Sequence, residues 1–293
     1  MSESKTEPNG ILVIDKPPGW TSHDVVAKCR GILGTRKIGH SGTLDPDATG
    51  VLVLGVGKCT RILQYLTGLP KRYVGEIVLG AETTTLDASG EVTATFDMSS
   101  VTLKEVEAAA AQLTGDINQV PPMVSALKVE GRRLHEIARE GREVERQPRP
   151  VTVYQFDVIE TDHSHIFQCD IRCSTGTYIR SLAADLGKIL NGGAHLTNLR
   201  RLSVGSFTIE EAHPIEDPVL ISPAAGLRDF KEVRVSEEVA IEVSYGKVLE
   251  REQLGVNDGS GPWPVLDLQG NLLAVYEPHK AGVKPAVVLV GPS

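Results

Sequence analysis

The residues of this sequence with the clearest chemical potential lie in one glycine-rich loop. It spans residues 39–50 and leads directly into the apolar run 51–54. Three glycines and a proline exclude a regular helix or strand there, because glycine frees φ and proline removes a backbone donor. Asp45 lies in this loop, five residues after His40. A carboxylate on a shaped loop backed by a buried strand is suited to act as a nucleophile or base toward a large substrate.

Other reactive loops do not fit this part of the chain. A phosphate-binding loop that ended at Lys58 would need glycine at position 52 and Ser or Thr at 59, where the chain has Leu52 and Cys59. The haloacid-dehalogenase and P-type ATPase pattern requires its aspartate before the Gly-Thr-Leu turn, whereas Asp45 follows that turn. A general hydrolase is the weakest alternative, because no second carboxylate or metal set accompanies Asp45 at motif level.

Composition sets the class of protein. The chain has 293 residues, of which 41% are hydrophobic and 23% charged, so it is globular, with one large domain or two unequal ones. The first nine residues are polar, and no apolar run approaches the length of a membrane span. We therefore expect a cytoplasmic protein without membrane contact. The four cysteines form no C-x-x-C pair and show no zinc spacing, so we predict reduced thiols and no metal.

The charge is unevenly distributed. The formal net charge of −8 is concentrated in residues 210–258, which hold 12 acidic and 5 basic residues. Basic residues cluster in two other segments: Lys128, Arg132, Arg133, Arg139, Arg142, Arg146 and Arg149, then Arg172, Arg180, Lys188, Arg200 and Arg201. These clusters could contact phosphates, or they could form a solvated face, since glutamates are interleaved in the first. On the first interpretation, affinity for nucleic acid is moderate and falls with salt.

The first half of the chain shows alternating strand and helix patterns. Residues 10–14 and 51–56 predict buried strands, and residues 71–79 predict a strand with Tyr73 on one face. A helix is expected between an N-cap at Ser22 and a stop at Gly34. A second helix follows Thr102, which forms a capping box with Glu105, and a basic helix is expected over residues 132–140.

The second half contains a hairpin, a helix and a compositional shift. Residues 151–160 and 166–173 predict an antiparallel hairpin. Tyr178 and Arg180 lie at the junction between its second strand and a helix. After about residue 223, proline, glycine and acidic residues dominate and only short apolar runs remain, which indicates a small β-rich module. We place the domain boundary near Phe230, giving domains of residues 1–230 and 231–293.

Six motifs in a fixed order carry a family resemblance. They are DKPPG at 15–19, the loop at 39–50, KRY at 71–73, PPMVSALK at 121–128, GTYIR at 176–180 and LRRL at 199–202. In these motifs the chain resembles the bacterial tRNA pseudouridine-55 synthases of the B type (TruB family), over residues 10 to about 207. One departure is His135, which stands where the family usually has tyrosine.

The resemblance implies a fold and an activity. The fold is α+β, with a mixed, largely antiparallel central sheet flanked by helices and a small β-rich C-terminal PUA-like domain. The activity is a cofactor-free isomerisation of uridine-55 in the T-arm loop of tRNA, in which the N1–C1′ bond breaks and the base is rejoined through C5. The partner is tRNA, and the protein is expected to be a monomer.

The resemblance also implies a role for each site residue. It assigns the catalytic aspartate to Asp45, its basic partner to Arg180 and a second active-site tyrosine to Tyr178. Substrate-binding positions are Tyr73, which stacks on the flipped uracil, His40, which probes the RNA loop, the pocket-lining Leu199, and Lys16. Such roles suit a base that must be extruded from a folded loop and received on an aromatic platform.

Several alternatives remain open at this stage. Asp45 could attack C1′ of the ribose, attack C6 of uracil, or assist elimination to a glycal. Tyr178 could help remove the C5 proton or contribute a structural hydroxyl, and Arg180 could instead form a surface ion pair with Asp185. The whole protein could also be a tRNA-binding or tRNA-folding protein without chemistry, or a pseudouridine synthase acting on other T-arm-like RNA stem-loops.

Overall fold

The computed structural model describes residues 7–291 except 126, 130–131, 135–136, 138–139, 141, 143 and 258. The chain forms two compact units. The terminal unit takes in the residues up to 46, residues 50–68 and those from 204 onward, and the middle unit takes in residues 47–49 and 69–203. Among the described residues, no helix combines the length and apolar character needed to cross a membrane.

The first part of the terminal unit is built on antiparallel strands. Its elements are β1 (Gly10–Lys16), α1 (Ser22–Leu33), β2 (Ile38–His40), β3 (Thr49–Val56), a 3-10 helix (Gly57–Arg61) and α2 (Leu63–Thr67). β1 pairs with β3 over the whole length of β1, from Gly10 opposite Val56 to Lys16 opposite Gly50. β2 also pairs with β3. These strands are apolar on both faces, and they pack with α1 into one buried cluster.

Helix α1 has a definite start and stop. Thr21 is its N-cap, and a capping box links the Thr21 hydroxyl to the Asp24 N–H and the Asp24 carboxylate to the Thr21 N–H. The predicted N-cap at Ser22 is therefore wrong by one residue, because Ser22 is buried inside the first turn. The predicted stop is confirmed: Gly34 adopts a left-handed conformation with φ 63°, which glycine reaches without steric cost.

The rest of the terminal unit contains a small C-terminal sheet. Elements are numbered in chain order, and those numbered β4 to β12, α3 and α4 belong to the middle unit described below. The elements that follow them in the terminal unit are β13 (Phe207–Thr208), β14 (Leu220–Ile221), β15 (Val233–Arg234), α5 (Glu237–Ser244), α6 (Arg251–Leu254), β16 (Trp263–Leu266), β17 (Leu272–His279) and β18 (Gly282–Val288). β15 to β18 lie in sequence order in a four-stranded sheet with its own buried cluster. The Lys58 ammonium and the Arg61 guanidinium donate to the carbonyls of Leu289 and Val288, which fastens this sheet to the 3-10 helix.

The middle unit is a sheet with two main helices. Its elements are β4 (Lys71–Leu79), β5 (Ala81–Thr83), β6 (Val92–Thr95), α3 (Leu103–Gln112), β7 (Gly115–Gln119), β8 (Lys128–Val129), β9 (Arg132–Arg133), β10 (Arg149–Glu160), β11 (Ile166–Cys173), α4 (Ile179–Ile189) and β12 (Ala194–Val204). The strands of the main sheet follow the order β12-β4-β11-β10-β7. β4 alternates buried and less buried residues, so one face is packed and the other meets solvent.

The predicted fold class is confirmed: sheets with mostly antiparallel pairs, flanking helices and a small C-terminal β domain. The hairpin of β10 and β11 and the capping box of Thr102 and Glu105 are also confirmed. The basic helix over residues 132–140 is wrong at its start, because Arg132 and Arg133 form β9, which pairs with β8. His135 and Arg139 lie outside the described residues.

Candidate active site

Asp45 lies on a loop that is anchored immediately before it. Residues 41–48 form neither helix nor strand, as predicted. The Ser22 hydroxyl accepts from the Leu44 N–H at 2.9 Å and donates to the Leu44 carbonyl at 3.2 Å, so both backbone groups of Leu44 are fixed. The loop returns to β3 through Gly50, whose φ of 99° favours glycine. Asp45 itself is half-buried.

Lys16 anchors the residue after Asp45. Its side chain is 0% exposed. The ammonium donates to the carbonyls of Pro17 at 2.9 Å, Trp20 at 2.6 Å and Pro46 at 2.7 Å. An ammonium has three donors, and three carbonyls match that number. In this geometry Lys16 shapes the loop that carries Asp45; the predicted contact of Lys16 with substrate stays a prediction.

His40 ends β2 beside a second histidine. It is half-buried and lies opposite Leu54 of β3. The His23 ring, on the first turn of α1, meets it edge to face, with ring centroids 5.3 Å apart. The sequence did not draw attention to His23, because a histidine in an amphipathic helix carries no spacing signal.

Tyr73 lies on the packed face of β4 in the middle unit. It is 8% exposed and faces Ile171 of β11 in the strand register. Two residues earlier on the same face, the Lys71 ammonium donates to the Leu69 carbonyl at 2.8 Å. Burial, with the nearby charge of Arg201 as a second cause, lowers the pKa of Lys71 to about 8.

Arg180, at the start of α4, contacts two backbone carbonyls and a carboxylate. It is 5% exposed. Its guanidinium donates to the carbonyls of Thr85 at 2.9 Å and Val124 at 2.8 Å, and lies 3.3 Å from a carboxylate oxygen of Asp87. The alternative of a surface ion pair with Asp185 is wrong, because Arg180 is buried against Asp87 and Asp185 instead pairs with Lys188.

Sequence reasoning missed Asp87. It lies in the polar segment of residues 83–90, which shows no helix or strand pattern in the sequence, and aspartate is a common turn former. The Thr85 hydroxyl donates to its carboxylate at 2.6 Å, and the Ser89 N–H donates at 3.1 Å. The backbone on both sides is tied to β12, since Ala88 donates to the Leu196 carbonyl and Leu196 donates to the Leu86 carbonyl. The run of Thr, Asp and Ser residues around Asp87 is the one sequence signal that could have identified it. Its pairing with the buried Arg180 is visible only in the folded chain.

Tyr178 and Leu199 occupy ordered backbone. Tyr178 is the N-cap of α4; its N–H donates to the Gln119 side-chain oxygen at 2.8 Å, and its carbonyl accepts from the Gln119 side-chain nitrogen at 3.0 Å. Leu199 lies within β12. β12 passes close to Gly75 of β4, where an added Cβ would lie 3.6 Å from the Leu199 Cα.

Two sets of predicted residues are thus brought into ordered arrangements. In the terminal unit, hydrogen bonds connect Lys16 with the loop that carries Asp45. In the middle unit, α4 carries Tyr178 and Arg180 two residues apart at its start. Within the described ranges, no cluster of three or more His, Cys, Asp or Glu side chains could hold a metal ion. The terminal unit offers a carboxylate on an anchored loop, and the middle unit offers a buried guanidinium paired with a carboxylate, together with two tyrosines. Each of these groups is of a type that takes part in acid–base or nucleophilic chemistry.

Comparisons with known proteins agree with the motifs. A model of the N-terminal domain of TruB family pseudouridylate synthases matches residues 30–179, and a model of the tRNA pseudouridylate synthase B C-terminal domain matches residues 180–220. The chain superimposes with a TM-score of 0.74 and 23% identity on a chain in a structure of an H/ACA RNP bound to a substrate RNA containing 2'-deoxyuridine, covering 97% of this chain and 86% of that one. This likeness shows a shared fold.

Curated relatives match over almost the whole chain. A tRNA pseudouridine synthase B of Rhodococcus jostii (strain RHA1) is 46% identical over 278 residues, which cover 92% of this chain and 90% of the relative. A tRNA pseudouridine synthase B of Streptomyces coelicolor is 44% identical over 302 residues, covering 98% and 99%. With matches of this identity and extent, the chain belongs to the TruB family of pseudouridylate synthases.

Proposed function

We propose that this enzyme isomerises uridine-55 in the T-arm loop of tRNA to pseudouridine without a cofactor. The names of the relatives in Rhodococcus and Streptomyces support tRNA as the substrate. The reaction breaks the N1–C1′ bond, turns the uracil and forms a C5–C1′ bond. The proton on C5 leaves and N1 gains a proton, so the product has the composition of the substrate.

The observation that carries this proposal is the double anchor around Asp45. Ser22 fixes Leu44 on one side, and Lys16 fixes Pro46 on the other. A carboxylate whose two neighbours are fixed needs little reorganisation when it meets a bound nucleotide, which is what a catalytic group requires. We assign Asp45 the step that starts the detachment of the base from the ribose.

The remaining residues receive roles that fit their surroundings. Tyr73 stacks on the flipped uracil, and His40 enters the RNA loop from which the base is extruded. Arg180 orients the reacting carboxylate, with Asp87 and two carbonyls setting the direction of its guanidinium. Tyr178 receives the C5 proton, and Leu199 lines the pocket. Lys16 shapes the Asp45 loop.

The decisive experiment is tritium release from C5-labelled uridine in unmodified tRNA or a T-arm stem-loop. Asp45→Asn should lower the rate by at least about 10³-fold, because the substitution removes the reacting group and keeps the shape. Asp47→Asn is the matched control, since Asp47 lies on the same loop and is exposed; its rate should stay near that of the wild type. Wild-type turnover by Asp45→Asn would contradict the assignment.

We further propose that the protein is a cytoplasmic monomer in which residues 231–293 form a PUA-like module next to a catalytic domain of residues 1–230. The four-stranded sheet of β15 to β18, with its own buried cluster, supports a separate module. Light scattering tests the monomer. Mapping of pseudouridines in a deletion strain separates tRNA from other T-arm-like RNAs as the substrate, because only the sites of this enzyme disappear.

A further inference from the structure

The last residue of β7 carries an amide at a position where the strand pattern favours an apolar side chain. Ile117 and Gln119 are two residues apart on this strand, so their side chains lie on the same, less exposed face. Gln119 is 2% exposed. A buried amide costs free energy unless its donor and its acceptor are hydrogen-bonded. The partners of Gln119 therefore indicate what this residue does.

Both ends of the Gln119 amide bond to the backbone of one residue, Tyr178. The Tyr178 N–H donates to the Gln119 Oε1 atom at 2.8 Å, and the Gln119 Nε2 atom donates to the Tyr178 carbonyl at 3.0 Å. Two such bonds to one residue resemble the exchange between paired residues of antiparallel strands. Tyr178 has an extended backbone, with φ −98° and ψ 108°. Because the backbone dihedral angles restrict the side-chain rotamers, the amide helps to set the direction of the Tyr178 ring.

Tyr178 lies where the chain changes from a turn to a helix. On one side, the Thr177 hydroxyl donates to the Ser174 carbonyl at 3.0 Å. On the other side, the Tyr178 carbonyl accepts from the Leu182 N–H at 3.2 Å, which begins α4. An N-cap residue has non-helical dihedral angles, so the helix alone does not fix them. Gln119 supplies this restraint from a different strand.

We propose that Gln119 is a positioning residue for Tyr178 in the removal of the C5 proton. The inference rests on the proposed function, in which Tyr178 receives that proton. Once C5 has joined the ribose, its C–H bond breaks and the electron pair forms the C5–C6 double bond. The proton passes to the Tyr178 oxygen while N1 takes up a proton. This transfer requires the accepting oxygen to lie within hydrogen-bond reach of C5, and a restrained backbone at Tyr178 keeps it there.

The first test is a double-mutant cycle on the single-turnover rate of pseudouridine formation in a T-arm stem-loop. Gln119→Met keeps the side-chain length and removes both hydrogen bonds, so the rate should fall about 30-fold while substrate affinity stays within about twofold. In a Tyr178→Phe background the same substitution should change the rate less than about threefold, because Gln119 acts through the Tyr178 oxygen. Gln119→Glu keeps the acceptor for the Tyr178 N–H and loses the donor to the carbonyl. Its rate should therefore lie between those of the wild type and Gln119→Met.

The second test uses a stem-loop whose target uridine carries deuterium at C5. If proton removal is slowed, that step limits the rate, so Gln119→Met should show a larger isotope effect than the wild type. Ser181→Ala is the matched control. Ser181 is 3% exposed, and its hydroxyl donates to the Val120 carbonyl at 3.3 Å, which joins the end of β7 to α4 through a bond that does not involve Tyr178. This variant should keep the wild-type rate and isotope effect.

Three results would overturn the proposal. They are a wild-type rate for Gln119→Met, additive effects of Gln119→Met and Tyr178→Phe, and a slowed Gln119→Met with an unchanged isotope effect. The proposed function is judged separately, by pseudouridine formation in the wild type, and it fails if the wild type forms none. If the wild type is active and Tyr178→Phe is slow, a failed result for Gln119→Met overturns this inference alone.

Discussion

Lys16 in the terminal unit and Arg180 in the middle unit are both almost completely buried, yet their partners differ. Lys16 donates to three backbone carbonyls. Arg180 donates to two carbonyls and also pairs with the Asp87 carboxylate. An ammonium that donates to several backbone carbonyls holds those segments of the chain in place. A guanidinium beside a carboxylate is held in the same way, and the negative charge of the carboxylate also balances its positive charge. Motif resemblance assigned both residues to the site, and the structure shows that Lys16 is surrounded by backbone carbonyls whereas Arg180 lies beside a carboxylate.

The strongest test of this comparison is Arg180→Lys. We expect tritium release to fall about 10³-fold, because one ammonium cannot reproduce the planar donor set that reaches Thr85, Val124 and Asp87 together. Circular dichroism should show an unchanged fold. Asp185→Asn is the control, since Asp185 pairs with Lys188, and it should keep wild-type turnover. A rate for Arg180→Lys within about threefold of the wild type would mean that charge alone suffices.

Lys16→Met tests the other side of the comparison. Three carbonyls lose their donor, so we expect the free energy of unfolding in urea to fall by about 3 kcal/mol. Lys58→Met is the matched control, since its ammonium donates to one carbonyl, that of Leu289, and it should cost about 1 kcal/mol. If Lys16→Met lost activity without losing stability, Lys16 would be a substrate contact and not a brace.

Lys71 extends the comparison to a buried lysine that donates to the Leu69 carbonyl and lies near Arg201. Its pKa is lowered to about 8, while a lysine in the unfolded chain has a pKa of about 10.4. The unfolded state therefore binds more protons between these values, and the penalty for burying Lys71 disappears as the pH rises from 8 to 10.4.

Relative to Lys71→Met, the wild type should therefore gain about 2 kcal/mol of unfolding free energy between pH 7.5 and 10. Urea denaturation of both proteins at the two pH values measures this difference, and groups other than Lys71 cancel. A pH-independent difference would show that Lys71 retains an ordinary pKa.

The smallest predicted effect is a difference in turnover between variants of two helix N-caps. Thr21→Ala and Thr102→Ala each remove a capping-box hydroxyl and should cost about 1 kcal/mol of stability. Only Thr21→Ala should also lower turnover, by about threefold, because α1 carries the Ser22 that fixes Leu44 beside Asp45. Equal turnover in the two variants would show that the start of α1 does not position the loop.

Local patterns predicted most of the framework. Features that depend on residues close in sequence could be predicted. They are the buried apolar runs, the helix stop at Gly34, the capping box of Thr102 and the β10–β11 hairpin. The cap at Thr21 was misplaced because Thr and Ser are adjacent and equally good caps. The start of the basic segment was wrongly predicted as helix, because interleaved arginines and glutamates fit an exposed helical face as well as the short strand β9.

The candidate site was less predictable than the framework. Asp45 and Arg180 came from motifs, but the partners that hold them are distant in sequence. Asp87 lies 93 positions before Arg180, and Ser22 lies 22 before Leu44. No spacing rule relates such pairs, because only the folded chain brings them together.

The division of the chain into units bears on how the enzyme is made. The middle unit is almost one continuous stretch, residues 69–203, so it can fold as soon as it leaves the ribosome. The terminal unit must join both ends of the chain: Lys58 and Arg61 reach carbonyls that are 231 and 227 residues further on. Such distant contacts form only after the last strand is synthesised. The segment that bears Asp45 is therefore among the first to be translated and among the last to be completed.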